Sequence, residues 1–343
     1  MKAIYFNEVN DVKSYLKHDN NKRVVLFSSF NKVKEIAQFA VDNVVLCSTA
    51  GEFTMNGYKE DSITGFEYDK NLAEIVEIKY PPIRTLEKLE SAYNKVKNNK
   101  NAFMLLLCDG LLGVEESIMT TFYFMDNDFK IIGGSAGDNL KFEKTLIYIG
   151  KKEVNSVAIF FNETRRTQII KENIYEPMGK KMLVTDADPI NRIVKKFNNK
   201  NASVEYADVL GVKEKDLDKC FMDNPLGKRC EDGIYITSPM KINSDKSITF
   251  YSQIMPNTFV DVLHITNIDE CFRKTKDALE FKPSFVLSIN CILRSLKFKN
   301  ENLWDFVDKE LLDICKNQVG FISYGEQFYK HHLNQTMVLL LVE

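Results

Sequence analysis

No two cysteines in this chain have Cys-x-x-Cys spacing; the seven present are scattered at positions 47, 108, 220, 230, 271, 291 and 315. The odd count and wide spacing argue against a disulfide framework or a structural zinc site and fit a reducing cytoplasm. Proline is scarce, at eight residues, and no Ser- or Gln-rich tract occurs, so long disordered arms are not expected. The formal charge is only −2, without the basic surplus of a nucleic-acid binder. The longest apolar runs, Phe103–Cys108 and Met337–Val342, are strand-length and too short to span a bilayer. The opening MKAIYFNEVNDVKSYLK lacks the apolar core of a secretory signal. These absences give an expectation of a cytoplasmic protein with no membrane insertion and no nucleic-acid partner.

What is present is an alternation of apolar, strand-length runs with helical patterns over 343 residues, 44% of them hydrophobic. That alternation predicts an α/β (α+β) chain of mixed β-sheets flanked by helices, in a layered α-β-β-α-like two-domain architecture. Val24–Ser28 reads as a strand, Asn31–Phe39 as a helix and Val44–Cys47 as a strand, followed by the turn STAGEF. The series repeats with Ala102–Cys108, Val114–Phe124 and Lys130–Ile132 before GGSAGDN. It appears a third time with Ser284–Cys291, Leu303–Cys315 and Gly320–Ser323 before YGEQF. Each turn carries a Gly-acid pair (Gly51-Glu52, Gly137-Asp138, Gly325-Glu326) two or three residues after a small hydroxyl side chain, which reads as an internal pseudo-repeat. Two antiparallel strand pairs are expected alongside, Ile63–Tyr68 with Ala73–Lys79 and Thr145–Ile149 with Ser156–Phe161. No fourth copy is visible between about residues 166 and 283. The polar stretch FNNKN at 197–201 is the expected boundary between domains 1–200 and 201–343.

Several residues are candidates for chemistry. Gly133 and Gly134 leave room for close backbone approach and for N–H groups facing an anion. A phosphate loop would continue into a helix, whereas NLKFEKTLIYIG reads as turn and strand. Glu52, Asp138 and Glu326 either anchor backbone N–H groups or converge on a cationic ligand group. Arg294, emerging from the apolar run SINCILR, needs an anionic partner, either a ligand carboxylate or an internal acid such as Glu326. Cys291 in the same run fits an inert core thiol or a nucleophile. The four histidines, His18, His264, His331 and His332, show no zinc-enzyme spacing, and no G-x-S-x-G elbow is present.

Taken in order, VVLCSTAGEF, ITGFEY, AFMLLLCDG and KIIGGSAGDN resemble the N-terminal part of the FIST family, and PMGKKMLVTDAD with the stretch to about Val209 resembles the passage between its two parts. NPLG, SFVLSINCILR, GFISYGEQF and HLNQTMVLLL resemble its C-terminal part. GGSAGD, C-x-x-R, GF-x-x-YGE and N-x-T in series carry the resemblance. It implies a sensory module for a small polar ligand, with amino acids or similar metabolites as the ligand class. It also implies a separate signalling partner such as a histidine kinase, a chemoreceptor or a cyclic-dinucleotide enzyme. The expected site lies between the two parts, lined by Ser48, Glu52, Gly133, Gly134, Ser135, Asp138, Cys291, Arg294, Glu326 and Asn334. No cofactor is expected and the reading favours a non-enzyme. Two alternatives stand beside it: a haem-based nitric oxide sensor using His264, His331 or His332, and a hydrolase or transferase with Cys291 or Ser135 as nucleophile.

Overall fold

Short runs of valine, isoleucine, leucine and phenylalanine, too apolar to face water on either side, form strands buried on both faces. The computed structural model describes residues 1–17, 21–230 and 233–343, and the chain divides into two compact units. The first comprises Met1–Glu172, Lys274–His332 and Met337–Glu343; the second comprises Asn173–Arg273 and Leu333–Thr336.

The first unit is built from one motif used three times. Its first copy holds β1 (Lys2–Phe6), α1 (Val9–Tyr15), β2 (Lys22–Ser28), α2 (Phe30–Ala37), β3 (Val44–Ser48), the hairpin β4 (Glu52–Thr54) and β5 (Gly57–Lys59), and β6 (Ile63–Asp69). The second holds β7 (Ala73–Ile78), α3 (Leu86–Val96), β8 (Phe103–Cys108), α4 (Glu115–Met125), β9 (Ile131–Ser135), the hairpin β10 (Ile147–Ile149) and β11 (Lys152–Val154), and β12 (Ser156–Phe161). The third opens with β13 (Thr167–Asn173) and is then interrupted by the second unit. That unit supplies β14 (Tyr175–Asp188), β15 (Ile193–Phe197), β16 (Lys200–Asn201), α5 (Ala202–Leu210), β17 (Leu226–Cys230), β18 (Gly233–Thr237), β19 (Pro239–Ile242), β20 (Ile248–Phe250) and β21 (Phe259–Ile265). The third copy resumes with α6 (Ile268–Asp277), β22 (Phe285–Cys291), α7 (Ile292–Asn300), α8 (Trp304–Ile314) and β23 (Gln318–Ser323). It closes with the hairpin β24 (Glu326–Phe328) and β25 (His331–Leu333), then β26 (Thr336–Val342).

Three six-stranded sheets result, in the orders β1-β6-β2-β3-β10-β11, β7-β12-β8-β9-β24-β25 and β13-β26-β22-β23-β4-β5. Each has the same plan, with a parallel central pair (β2/β3, β8/β9, β22/β23) and a terminal hairpin donated by another copy. The donation is cyclic. Copy one gives β4–β5 to the third sheet, copy three gives β24–β25 to the second, and copy two gives β10–β11 to the first. Apolar inner faces meet through Phe27–Phe321, Tyr68–Phe161 and Phe66–Phe285, with ring centroids 4.4, 4.9 and 5.4 Å apart. Helices cover the outer faces. Val12, Val33 and Ile36 pack on the first sheet, and Leu89, Ile118 and Met119 on the second. This is the layered α/β arrangement expected from the alternation.

Two expectations change. Ile63–Tyr68 does not pair with Ala73–Lys79, because β6 lies in the first sheet and β7 in the second. Likewise β10 pairs with β3 and β11, while β12 lies between β7 and β8. Adjacent apolar runs look like hairpins in sequence, but here each short turn carries the chain from one sheet to the next. The stretch without a fourth copy is largely the second unit, an antiparallel sheet whose core includes Val184, Phe197, Tyr206, Leu226 and Val262. The FNNKN stretch is a tight turn within it, where Asn198 (φ 49°) and Asn199 (φ 64°) join β15 to β16.

Candidate functional site

The three Gly-acid turns converge, as a consequence of the hairpin exchange. Gly137 N donates to Ser48 O (2.9 Å), Tyr324 N to Ser135 O (3.0 Å) and Ala50 N to Ile322 O (3.1 Å), so each turn is tied to the parallel strand of another copy. Gly137 lies so close to its neighbours that a Cβ there would come within 3.1–3.2 Å of Ala50 and Tyr324. The acids serve these joints. Glu52 accepts from the Thr49 hydroxyl (2.5 Å) and from Ser62 N (2.8 Å) and Oγ (3.1 Å). Burial pushes its pKa up to about 7 against the pull of those donors. Glu326 accepts from the Ser323 hydroxyl at 2.7 Å, which repeats the Thr49–Glu52 geometry three residues upstream of the acid. Asp138 accepts from the backbone N–H groups of Phe142 (3.0 Å), Glu143 (2.7 Å) and Lys144 (3.1 Å) and from the Tyr324 hydroxyl. Burial raises its pKa, but the Tyr324 hydroxyl and those N–H groups outweigh burial and hold the carboxyl below its usual value. Ser48 Oγ accepts from Leu146 N at 2.8 Å.

The adjacent glycines have a packing reason. A Cβ at Gly133 would meet Leu106 O at 2.2 Å, and one at Gly134 would meet Phe321 and Ile289 at 2.7–2.8 Å. Both sit in the β9–β24 ladder, opposite Gln327 and Glu326, so their backbone belongs to a sheet. Ser135, fully buried, donates to Glu115 Oε1 (2.9 Å) and accepts from Gln327 Nε2 (3.2 Å), which also lies 3.3 Å from His332 Nδ1. Burial pushes the Cys47 and Cys108 thiols well up, and Cys291 is also buried. His264, on β21, lies 3.4 Å from Glu176 and is substantially exposed; His18 lies outside the described residues. Asn334, in the second unit, donates from its N to Ile236 O and accepts from Ser238 N, both at 3.3 Å.

The third sheet differs on its outer face. β22 ends at Cys291, which caps α7, so Arg294 sits in the first turn of a helix and not on the strand. It is fully buried. Its Nη2 donates to Glu172 Oε1, and its guanidinium lies 4.9 Å from the Phe298 ring centre. Glu172 Oε2 in turn accepts from the Thr275 hydroxyl at 2.9 Å. The internal acid expected at Glu326 is therefore Glu172, 122 residues away in sequence.

Register places further polar groups on this face. Tyr58 stacks on Trp304 of α8 (4.2 Å, 8°), Tyr58 faces Phe53, Phe53 faces Gly320, and Gly320 faces Ser288. Cross-strand partners share a face and residues two apart share it too, so Ser288, Asn290 and Gln318 all point to the helix side. They are at most 1% exposed, yet Ser288 Oγ, both amide atoms of Asn290 and both of Gln318 lack a hydrogen-bond partner among the described residues. An orphaned buried donor or acceptor costs about 1–3 kcal/mol, which makes this row a departure that needs a reason. Sequence reasoning passed over Ser288 and Asn290. Their signal was present in SFVLSINC, two polar residues spaced i, i+2 in an otherwise apolar strand.

Residues 24–200 match the FIST N domain and residues 202–329 the FIST C domain. The chain belongs to the FIST family. FIST domains are sensory modules for small ligands and not catalysts. No curated protein matches this FIST chain. Among its described residues, no cluster of three or more His, Cys, Asp or Glu side chains could hold a metal ion, and no helix is long and apolar enough to cross a membrane.

Proposed function

We propose that this FIST chain is the ligand-binding element of a sensory system, and that its ligand is a small polar metabolite of the amino-acid kind. The observation that carries this reading is Asn290. Asn290 is 1% exposed, and neither its amide oxygen nor its amide nitrogen has a partner among the described residues. Ser288 and Gln318 add a hydroxyl and a second amide on the same face. A primary amide offers one acceptor and two donors, which suits a ligand with both kinds of group. Arg294 takes a different role from the one its isolation in sequence suggests. Its charge is already met by Glu172, so the ligand is recognised by neutral groups while the ion pair shapes the wall beside them. Binding sites typically combine an apolar lining with a few placed polar groups, and this layer has that composition. Seven free thiols favour the cytoplasm as the compartment, and output passes to a separate signalling protein.

Calorimetry and thermal shift against a panel of amino acids and related metabolites test the reading. A hit is expected to raise the melting temperature of the native chain, and Asn290→Ala is expected to weaken it about tenfold, the loss of one or two buried hydrogen bonds. Binding that survives Asn290→Ala unchanged, or a panel with no hit, overturns it.

A further inference from the structure

In the first two copies the outer strand passes to its helix over a short connection, from Phe6 to Val9 and from Ile78 to Leu86. In the third, the equivalent strand ends at Asn173 and the helix begins at Ile268, and the second unit occupies that connection. Glu172 is the last residue of the first unit before this insertion, and Thr275 is the second residue after it. The hydrogen bond from the Thr275 hydroxyl to Glu172 therefore closes the mouth of the insertion, and Arg294 fastens it to α7. α7 starts directly after Asn290 and its cap Cys291.

We propose that Glu172, Thr275 and Arg294 form a clasp that carries the state of the Asn290 row to both chain roots of the inserted unit. This rests on the ligand reading above. A buried ion pair is a poor choice for simple bracing. Apolar side chains of similar volume do that as well or better, and the first two copies close the same layer with Val12, Val33, Leu89 and Ile118. An ion pair with a bonded hydroxyl instead holds one geometry and responds sharply when a neighbour shifts, because its hydrogen bonds are directional and its charges cannot be left uncompensated. Its position at the point where the second unit enters and leaves the third copy ties it to the insertion. A ligand bonded to Asn290 would restrain the start of α7, and through Arg294 and Glu172 the end of β13 and the body of α6.

Hydrogen exchange read by mass spectrometry on the full chain tests this, with and without a saturating mixture of the standard amino acids. In the absence of ligand, Glu172→Gln is expected to raise exchange about tenfold in the segments 170–175 and 268–276 while leaving 103–108 and 131–135 unchanged, as local opening confined to the roots requires. The apolar triple variant Glu172→Leu, Thr275→Val, Arg294→Met covers the case in which the single variant does not fold. At a mixture concentration that saturates it, this variant is expected to keep the roots slow yet to lose the ligand-induced change in root exchange. Unchanged root exchange in Glu172→Gln, or a triple variant that still transmits the ligand effect, overturns the clasp. If the native chain binds nothing in the mixture while Glu172→Gln frees the roots, the ligand reading fails and the transmission claim with it, but the mechanical closure stands. Binding without any change at the native roots overturns the clasp alone.

Discussion

The second and third copies of the repeated motif share strand order, parallel central pair and helix-covered outer face, yet they fill the layer under the helices differently. In the second, Leu89, Ala92, Ile118, Met119 and Phe122 pack on Met104, Leu106, Ala158 and Phe160, and the buried Glu115 of α4 is met by the Ser135 hydroxyl. In the third, the layer keeps Phe298, Trp304, Val307 and Leu311 but adds Glu172, Thr275, Arg294, Ser288, Asn290 and Gln318. Since the two share a topology, the frame does not require the polar groups. The second copy's layer is mainly apolar with its buried acid hydrogen-bonded, and the third adds a buried ion pair and a row of polar side chains without partners among the described residues. Departures from local consistency of this kind concentrate at functional sites.

The largest expected effect breaks the third layer outright. Arg294→Ala leaves Glu172 buried without its counter-charge and is expected to cost about 3–5 kcal/mol in denaturant unfolding. Leu89→Ala in the second layer should cost about 2–5 kcal/mol by cavity formation, with no effect on ligand binding. Equal losses of binding in the two variants would erase the distinction between the layers.

A pH titration extends the comparison to the turns. Burial raises the Glu52 pKa from 4.5 to about 7, so the folded chain holds that proton more tightly than the unfolded one. The stability it contributes is full below pH 4.5 and is lost as the pH rises through about 7, by roughly 3 kcal/mol over that window. Asp138 has the opposite sign: its pKa is lowered, so its contribution is present above the unfolded pKa and is lost as the pH falls through the folded one. Denaturant midpoints measured across this range should slope downward, and Glu52→Gln should flatten the slope. A slope that survives Glu52→Gln would assign it elsewhere.

The smallest effect is the most discriminating. Asn290→Leu replaces an unpartnered buried amide with an apolar side chain of similar volume and is expected to stabilise the ligand-free chain by about 1 kcal/mol while abolishing binding. Thermal unfolding and calorimetry on the same sample read both. A loss of stability would mean that the Asn290 amide is satisfied within the folded chain.

Much of the first unit was legible because its signals are local. Apolar runs gave the strands, 3.6-residue periodicity gave Asn31–Phe39 and Leu303–Cys315 as helices, and the recurring Gly-acid turns gave the repeat. The hydroxyl before each acid was legible as well, because in Thr49–Glu52 and Ser323–Glu326 it is a hydrogen bond across three residues. The FNNKN stretch gave the right local chemistry, a turn, and it lies where the two family matches meet, between residues 200 and 202. Arg294 stood out as a residue needing an anion, while its partner Glu172, distant along the chain, carried no mark.

The sequence by itself determined the α/β class, the threefold repetition and the family, since each depends on spacing along the chain or on motif order. Only the tertiary structure decided which hairpin joins which sheet, what Arg294 binds, and that the Asn290 side chain is buried without a partner among the described residues. Those depend on which surfaces meet, and strands of equal apolarity carry no information about their partners until register and packing select them.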